Sequence, residues 1–321
     1  ENAACNLKFG HFSYFDLHFV FPTVTTEDVK SKPKSIDFMT EWRSFLTENV
    51  YGSLFDWYKM LGVKNKQGEI RVDDAQEILK SLSLKSMEGG YKVLIVWMAD
   101  KLNLSASNKL LKFLEEPTDK TVFLLITENE GDIIQTIRSR CQALHFNGLA
   151  EGEIAKWLVD KQQVEEKLSM KIAHLSQGNY CRALHILHED GDDYPFEQWF
   201  IAWVRAAFRA KGNAAAIHDL IVWSETIAGI GREAQKKFLN YCIDVFRQAL
   251  MFNYQADQLV YFEAVDEKFR LENFAPFVNE SNIQDIFNEL SDAIYHIERN
   301  GNAKLILTDL SIKLTRLIHK K

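Results

Sequence analysis

The sequence predicts a parallel α/β domain followed by an all-helical part. Two near-continuous apolar runs, "YKVLIVWMAD" (Tyr91–Asp100) and "TVFLLIT" (Thr121–Thr127), flank a segment of helical periodicity. Such runs suit strands buried on both faces, and strand, helix, strand in close succession is a βαβ unit with a parallel sheet. After Phe146 the strand signal stops, and the chain continues as segments with one apolar stripe each.

Taken in order, "DLHFVFPTVT" (Asp16–Thr25) reads as β-rich. Residues 38–62 read as a helical segment, with Phe38, Trp42, Phe45 and Leu46 at helical spacing. A polar turn follows at Lys64–Gly68. The next helix begins after Arg71 with Asp73 as its N-cap and Ala75, Ile78, Leu79 and Leu82 as its stripe. Gly89 and Gly90 punctuate before the first apolar strand. In "LSASNKLLKFLEEP" the stripe is Ala106, Leu110, Leu111 and Leu114, and Pro117 fits a stop just beyond the end. The second apolar strand follows.

Three short helices come next, in "AEGEIAKWLVDKQQ", "EEKLSMKIAHLSQG" and "NYCRALHILHE", with Gly178 suited to a C′ position. The acidic stretch "HEDGDDYP" (His188–Pro195) is the best boundary. Longer helices then carry Ile283, Ile286, Leu290, Ile294 and Ile297 on one face. Gly301 breaks the run, and Leu307, Leu310, Leu314, Leu317 and Ile318 line the last helix. The expected parts are an α/β domain at 1–146, a small helical domain at 147–192 and a helical domain at 193–321. There is no repeat of fixed period.

Composition narrows the function classes. With 46% hydrophobic and 26% charged residues, the 321-residue chain is of ordinary globular type. No apolar run approaches the roughly 20 residues that span a bilayer. "ENAACNLKFG" has no basic-then-apolar leader pattern, and the start without Met reads as a fragment or a trimmed piece. Cys5, Cys141, Cys181 and Cys242 are far apart, with no C-x-x-C, which suits free thiols in a reducing cytoplasm. A net charge of −7 argues against a stand-alone nucleic-acid binder, so any such contact is local or shared with partner proteins.

The catalytic motifs are mostly absences. No G-x-x-x-x-G-K-[ST], G-x-G-x-x-G or H-E-x-x-H occurs. His185 and His188 are spaced i, i+3 but lack a third ligand, so packing or surface roles outweigh a metal pair. Glu115 and Glu116 end a helix, where solvation or a salt bridge outweighs an acid–base pair. "TIRSRCQAL" (Thr136–Leu144) sets Cys141 beside Arg140, a setting that could lower a thiol pKa, but no His or Asn partner motif accompanies it. Cys141 is therefore expected to pack under the sheet edge as a small apolar group. P-loop ATPases end the strand corresponding to "KVLIVWMADKL" in acids that hold Mg²⁺ and activate water; here Trp97 and Met98 stand there, and Asp100 comes two residues later.

The stretch "KVLIVWMADKLNLSASNKLLKFLEEPTDKTVFLLITEN", followed by "IRSRCQ", resembles the clamp-loader branch of the AAA+ proteins, specifically its members without ATPase motifs. "GNAKLILTDLSIKL" resembles the family's final collar helix, and "DLHFVFP" the segment after its cysteine-rich module. The resemblance covers nearly all of the chain. It implies a partial AAA+ α/β domain, a helical lid and a helical collar that joins five subunits in a ring. It implies membership of the bacterial DNA polymerase III holoenzyme in the cytoplasm, with the motor (tau/gamma) subunits and the delta subunit as partners. The sliding clamp and primer–template DNA are reached indirectly. In the family, the arginine of the S-R-C motif reaches ATP on a neighbouring motor subunit. That position is Arg140, an arginine finger acting in trans, flanked by Arg138, Ser139 and Cys141; the competing reading is a helix-end or surface salt bridge.

Departures from the family pattern bear on cofactors. The family's zinc module uses four cysteines, and only Cys5 stands near its expected place, so zinc is not expected unless its ligands precede residue 1. The family's His-Pro-Asp reads Tyr14-Phe15-Asp16. The part that would hold a P-loop remnant is absent. The lid arginine of motor subunits falls on Cys181, with Arg182 one place further on. This chain is therefore expected to bind no nucleotide and to have no ATPase of its own. The alternatives are a motor subunit or another nucleotide-dependent AAA+ enzyme truncated before its P-loop, and a stand-alone DNA-binding module.

Overall fold

A computed structural model describes Phe12 and residues 14–63, 66–84, 86–87, 90–188, 195–256, 260–262, 264, 266 and 268–320. The expectations that rest on Cys5, Lys64, Gly89 and the boundary stretch 189–194 lie outside the described residues. The chain divides into two units, 1–146 and 147–321.

The first unit is built on a three-stranded parallel sheet in the order β1 (Leu17–Val20), β2 (Lys92–Trp97), β3 (Thr121–Ile126). Leu17 pairs with Val93, and Val93 with Val122, so side chains at these levels share a face. Two helices, α1 (Met39–Glu48) and α2 (Leu54–Met60), cover that face over β1 and β2. Their aromatic rings interlock: Phe21 stacks on Trp42 at 4.2 Å, and Trp42 meets Trp57 at 5.2 Å and Trp97 at 5.1 Å. The opposite face of β2, with Leu94 and Val96, packs with residues of α3 (Val72–Ser83) and α4 (Leu104–Glu115), among them Leu79, Leu82 and Leu110.

Three expectations change. The Thr121–Thr127 run is not buried on both faces. As an edge strand it extends past the α1–α2 cover, leaving Leu124 and Ile126 each 47% exposed. Residues 38–62 form two α-helices after a short 3-10 turn (Ser35–Phe38). The break comes where Ser53 caps α2: the Asp56 N–H donates to Ser53 Oγ at 3.3 Å, and the Ser53 N–H donates to Asp56 Oδ2 at 2.7 Å. Gly52 precedes it against the Phe45 ring, where a Cβ would stand 2.5 Å from Cζ. Finally, Arg71 is the N-cap residue of α3, and Asp73 lies within its first turn. The neighbouring Asp74 instead accepts the Ser35 N–H at 2.6 Å, which ties α3 to the segment before α1.

The second unit is wholly helical among its described residues. Helices α6 (Glu151–Gln162), α7 (Glu166–Ser176) and α8 (Tyr180–Leu187) share a small core of Ile154, Leu158, Ile172 and Ala183. Gln177 and Gly178 (φ +79°) both take the left-handed conformation that ends α7, and Leu149 donates its N–H to Gly178 O at 2.9 Å. A larger core joins α9 (Phe196–Arg209), α10 (Ala214–Ala228), α11 (Arg232–Asn253), α12 (Leu271–Phe274), α13 (Ile283–Glu298) and α14 (Ala303–Leu317). Phe200, Phe238, Leu290 and Leu307 are completely buried in it. Trp203 donates from Nε1 to Ser311 Oγ at 2.9 Å, so a buried polar group is satisfied between α9 and α14. No helix among the described residues is long and apolar enough to cross a membrane.

Candidate functional site

The motif after β3 is a single pinned helical turn. A short helix, α5 (Gln135–Arg138), carries on through backbone hydrogen bonds from Ser139 N to Gln135 O (2.9 Å) and from Arg140 N to Ile137 O (3.0 Å). Ile137, 1% exposed, plugs the turn into the core that contains Leu110 and Val96. With Ile137 directed inward, Arg138, Ser139 and Arg140 are left exposed.

Both arginines have carboxylate partners. Arg140 Nη2 lies 2.6 Å from Glu115 Oε1 at the end of α4, and its Nη1 donates to Thr136 O at 2.9 Å and to Ser139 Oγ at 3.3 Å. The Arg140 side chain remains 36% exposed and that of Glu115 47%. Arg138 bonds Glu130 through Nη2 at 2.7 Å and Nε at 3.0 Å. The surface-salt-bridge reading of Arg140 thus describes its state in this chain, and the helix-end carboxylate Glu115 is the partner. Sequence reasoning left Glu115 to helix-end solvation or a salt bridge and did not pair it with a residue 25 positions later. An exposed pair of this kind contributes about 0.2–1 kcal/mol, so it holds Arg140 loosely.

Cys141 is exposed, contrary to the expectation that it packs under the sheet edge. Cys141 lies four residues after the inward Ile137, but the helix ends at Arg138, so Cys141 falls beyond it and does not share that face. Nor is its thiol activated: desolvation raises the Cys141 pKa above the ordinary value.

At the end of β2, Met98 adopts the left-handed conformation (φ 55°), and Asp100 follows in a 3-10 turn (Ala99–Lys101). The Asp100 carboxylate accepts from Thr127 Oγ1 at 2.8 Å and meets Lys101 Nζ at 3.0 Å. Asp100 thereby ties the ends of β2 and β3 together. In the helical unit, Cys181 is buried and its Sγ lies 3.7 Å from His185 Nε2. Arg182 Nη2 pairs with Asp244 Oδ2 of α11 at 2.6 Å; Asp244 also takes Arg247 at 3.2 Å.

Residues 53–150, which contain this turn and strands β2 and β3, match the family described as "DNA polymerase III, delta subunit". The chain is 31% identical over 134 residues to the DNA polymerase III subunit delta' of Haemophilus influenzae, a match covering 42% of this chain and 40% of the relative. It is 25% identical over 265 residues to the delta' subunit of Escherichia coli, covering 81% and 73%. By sequence, the chain is similar to the DNA polymerase III delta' subunits. The tau/gamma subunit of H. influenzae is also similar, at 32% over 121 residues, covering 36% of this chain and 18% of that protein. The match to the delta' subunit of H. influenzae spans less than half of that protein's length.

Proposed function

We propose that this delta' relative is a non-catalytic subunit of the bacterial DNA polymerase III clamp loader. In this reading Arg140 is an arginine finger delivered in trans to ATP on a neighbouring motor (tau/gamma) subunit. The observation that carries the reading is the setting of Arg140: a side chain on a rigidly pinned turn, 36% exposed, restrained only by surface contacts. A fixed backbone with a releasable guanidinium suits a cation that must meet a phosphate on another chain. There it stabilises the charge that develops on the transferring phosphoryl group, while water attack and the Mg²⁺ belong to the motor subunit.

The chain's own strand end fits this division of labour. Trp97 and Met98 offer no metal ligand or base, Asp100 is engaged by Thr127 and Lys101, and Arg182 is engaged by Asp244. A surface on the helical unit fits a place in an assembly. Helix α10 exposes Ile217 (46%), Ile221 (37%) and Val222 (46%), and its neighbour α14 exposes Leu305 (66%) and Ile312 (46%). Helices apolar on their outer as well as inner faces are normally covered by a partner. The motor and delta subunits are the proposed partners, and through them the sliding clamp and primer–template DNA, in the cytoplasm.

The test is reconstitution with the motor and delta subunits and measurement of clamp- and DNA-stimulated ATPase. The expected outcome is a complex that assembles with Arg140→Ala but hydrolyses ATP more slowly. Failure of the wild-type chain to assemble with those subunits would remove the proposal altogether.

A further inference from the structure

The helical unit contains a cavity of about 510 Å³ that the proposed function does not use. It opens between the end of α9, the segment around α12 and the last turn of α14. Its floor includes Phe208, Phe274, Phe277 and Ile318. Phe208 is braced by His319, stacked at 5.1 Å, and by Phe277, edge-on at 4.9 Å, yet it stays 45% exposed.

The rim is cationic: Arg205, Arg209, Lys268 and Arg270 line the same cavity. Arg209 Nη2 lies 3.3 Å from Asp219 Oδ2, and Arg205 Nη1 lies 3.8 Å from Asp266 Oδ2. Arg205 also donates through Nη2 to Lys268 O at 3.0 Å, which fixes its direction. Among the described residues Lys268 and Arg270 have no ion-pair partner. Among the described residues the rim thus holds more positive than negative charge, on a chain whose net charge is −7.

We propose that this cavity binds a short acidic peptide segment bearing one bulky apolar side chain. The apolar group fills the floor beside Phe208, and the carboxylates meet Lys268 and Arg270. A purely apolar ligand would leave the cationic rim unused. A nucleic-acid strand fits less well, because strand binding uses a basic track with successive stacking platforms. Here the cations surround one pocket, and of its rings only Phe208 is exposed, with Phe277 half-buried and Phe269 and Phe274 buried.

The probe is a fluorescein-labelled hexapeptide of acidic residues ending in phenylalanine with a free carboxyl terminus, titrated by anisotropy against the full chain. The expected result is saturable binding, weakened about ten-fold by Lys268→Glu or Arg270→Glu and weakened further by added salt. Both changes are at exposed positions, and circular dichroism checks that the fold is kept. A peptide with glycine in place of the phenylalanine should bind at least about ten-fold more weakly if the apolar floor contributes. Absence of binding at millimolar peptide, or equal affinity for the charge-reversed variants, overturns the proposal. So does tighter binding of an oligothymidylate that displaces the peptide, which would make the cavity a nucleic-acid site.

Discussion

Replacing Arg140 by alanine separates two roles whose energies differ severalfold. The structural loss is small: one exposed ion pair with Glu115 and two exposed hydrogen bonds, to Thr136 O and Ser139 Oγ. Pairs of this exposure contribute about 0.2–1 kcal/mol, so the thermal midpoint should fall by only a few degrees. A transition-state arginine is worth roughly 10³-fold in rate, or about 4 kcal/mol. In a complex with several ATP sites, the loss at one site shows as a partial fall in total ATPase and fully in single-site measurements. Glu115→Gln supplies the control. It breaks the same ion pair but keeps the guanidinium and its bonds to Thr136 O and Ser139 Oγ, so it should cost no more stability than Arg140→Ala and leave ATPase unchanged or slightly higher. If Arg140→Ala and Glu115→Gln slow the reconstituted ATPase equally, or if neither slows it, the arginine serves only the surface pair.

Other outcomes follow from the folded chain alone. Burial drives the Asp74 pKa from 3.8 up to about 6, and its Oδ2 has no hydrogen-bond partner. The folded state therefore holds this proton more tightly than the unfolded state does. Stability should decline as pH rises from about 4 to 6, by up to about 3 kcal/mol from this group, and urea titrations of Asp74→Asn should show that slope flattened. Leu290, with no exposed surface in the core of the helical unit, should cost about 2–5 kcal/mol as Leu290→Ala in denaturant unfolding, with helicity retained in water. Gly178→Ala must hold a side chain at φ +79° with its Cβ 2.9 Å from Leu149 O, so a loss above about 1 kcal/mol is expected by calorimetry; no change would mean that the 148–178 contact rearranges freely.

The parts of the fold set by local pattern were legible in the sequence. The βαβ unit could be read because β2 and β3 are long apolar runs around an amphipathic α4, and α13 and α14 because their stripes persist over four turns. What depended on neighbours was not. Val122, Leu124 and Ile126 look identical whether a strand is central or at an edge, and only the reach of α1 and α2 decides. The N-cap of α3 was misplaced because Asp73 and Asp74 suit the first turn of a helix as well as its cap. At the candidate site the sequence singled out Arg140 through its motif. The Arg140–Glu115 pair, the Asp100–Thr127 bond and the exposure of Cys141 all arise from long-range packing or from where a helix ends.

The aim of Arg140 is governed by Ile137, whose side chain makes none of the guanidinium's hydrogen bonds or its ion pair. Ile137 is the peg that fixes the phase of the turn, and each residue added or removed between it and Arg140 would swing the guanidinium by about 100° around the helix axis. Surface segments ordinarily tolerate changes of length. This one should not, since a single inserted residue would leave the arginine present, charged and exposed, and pointing away from whatever it serves.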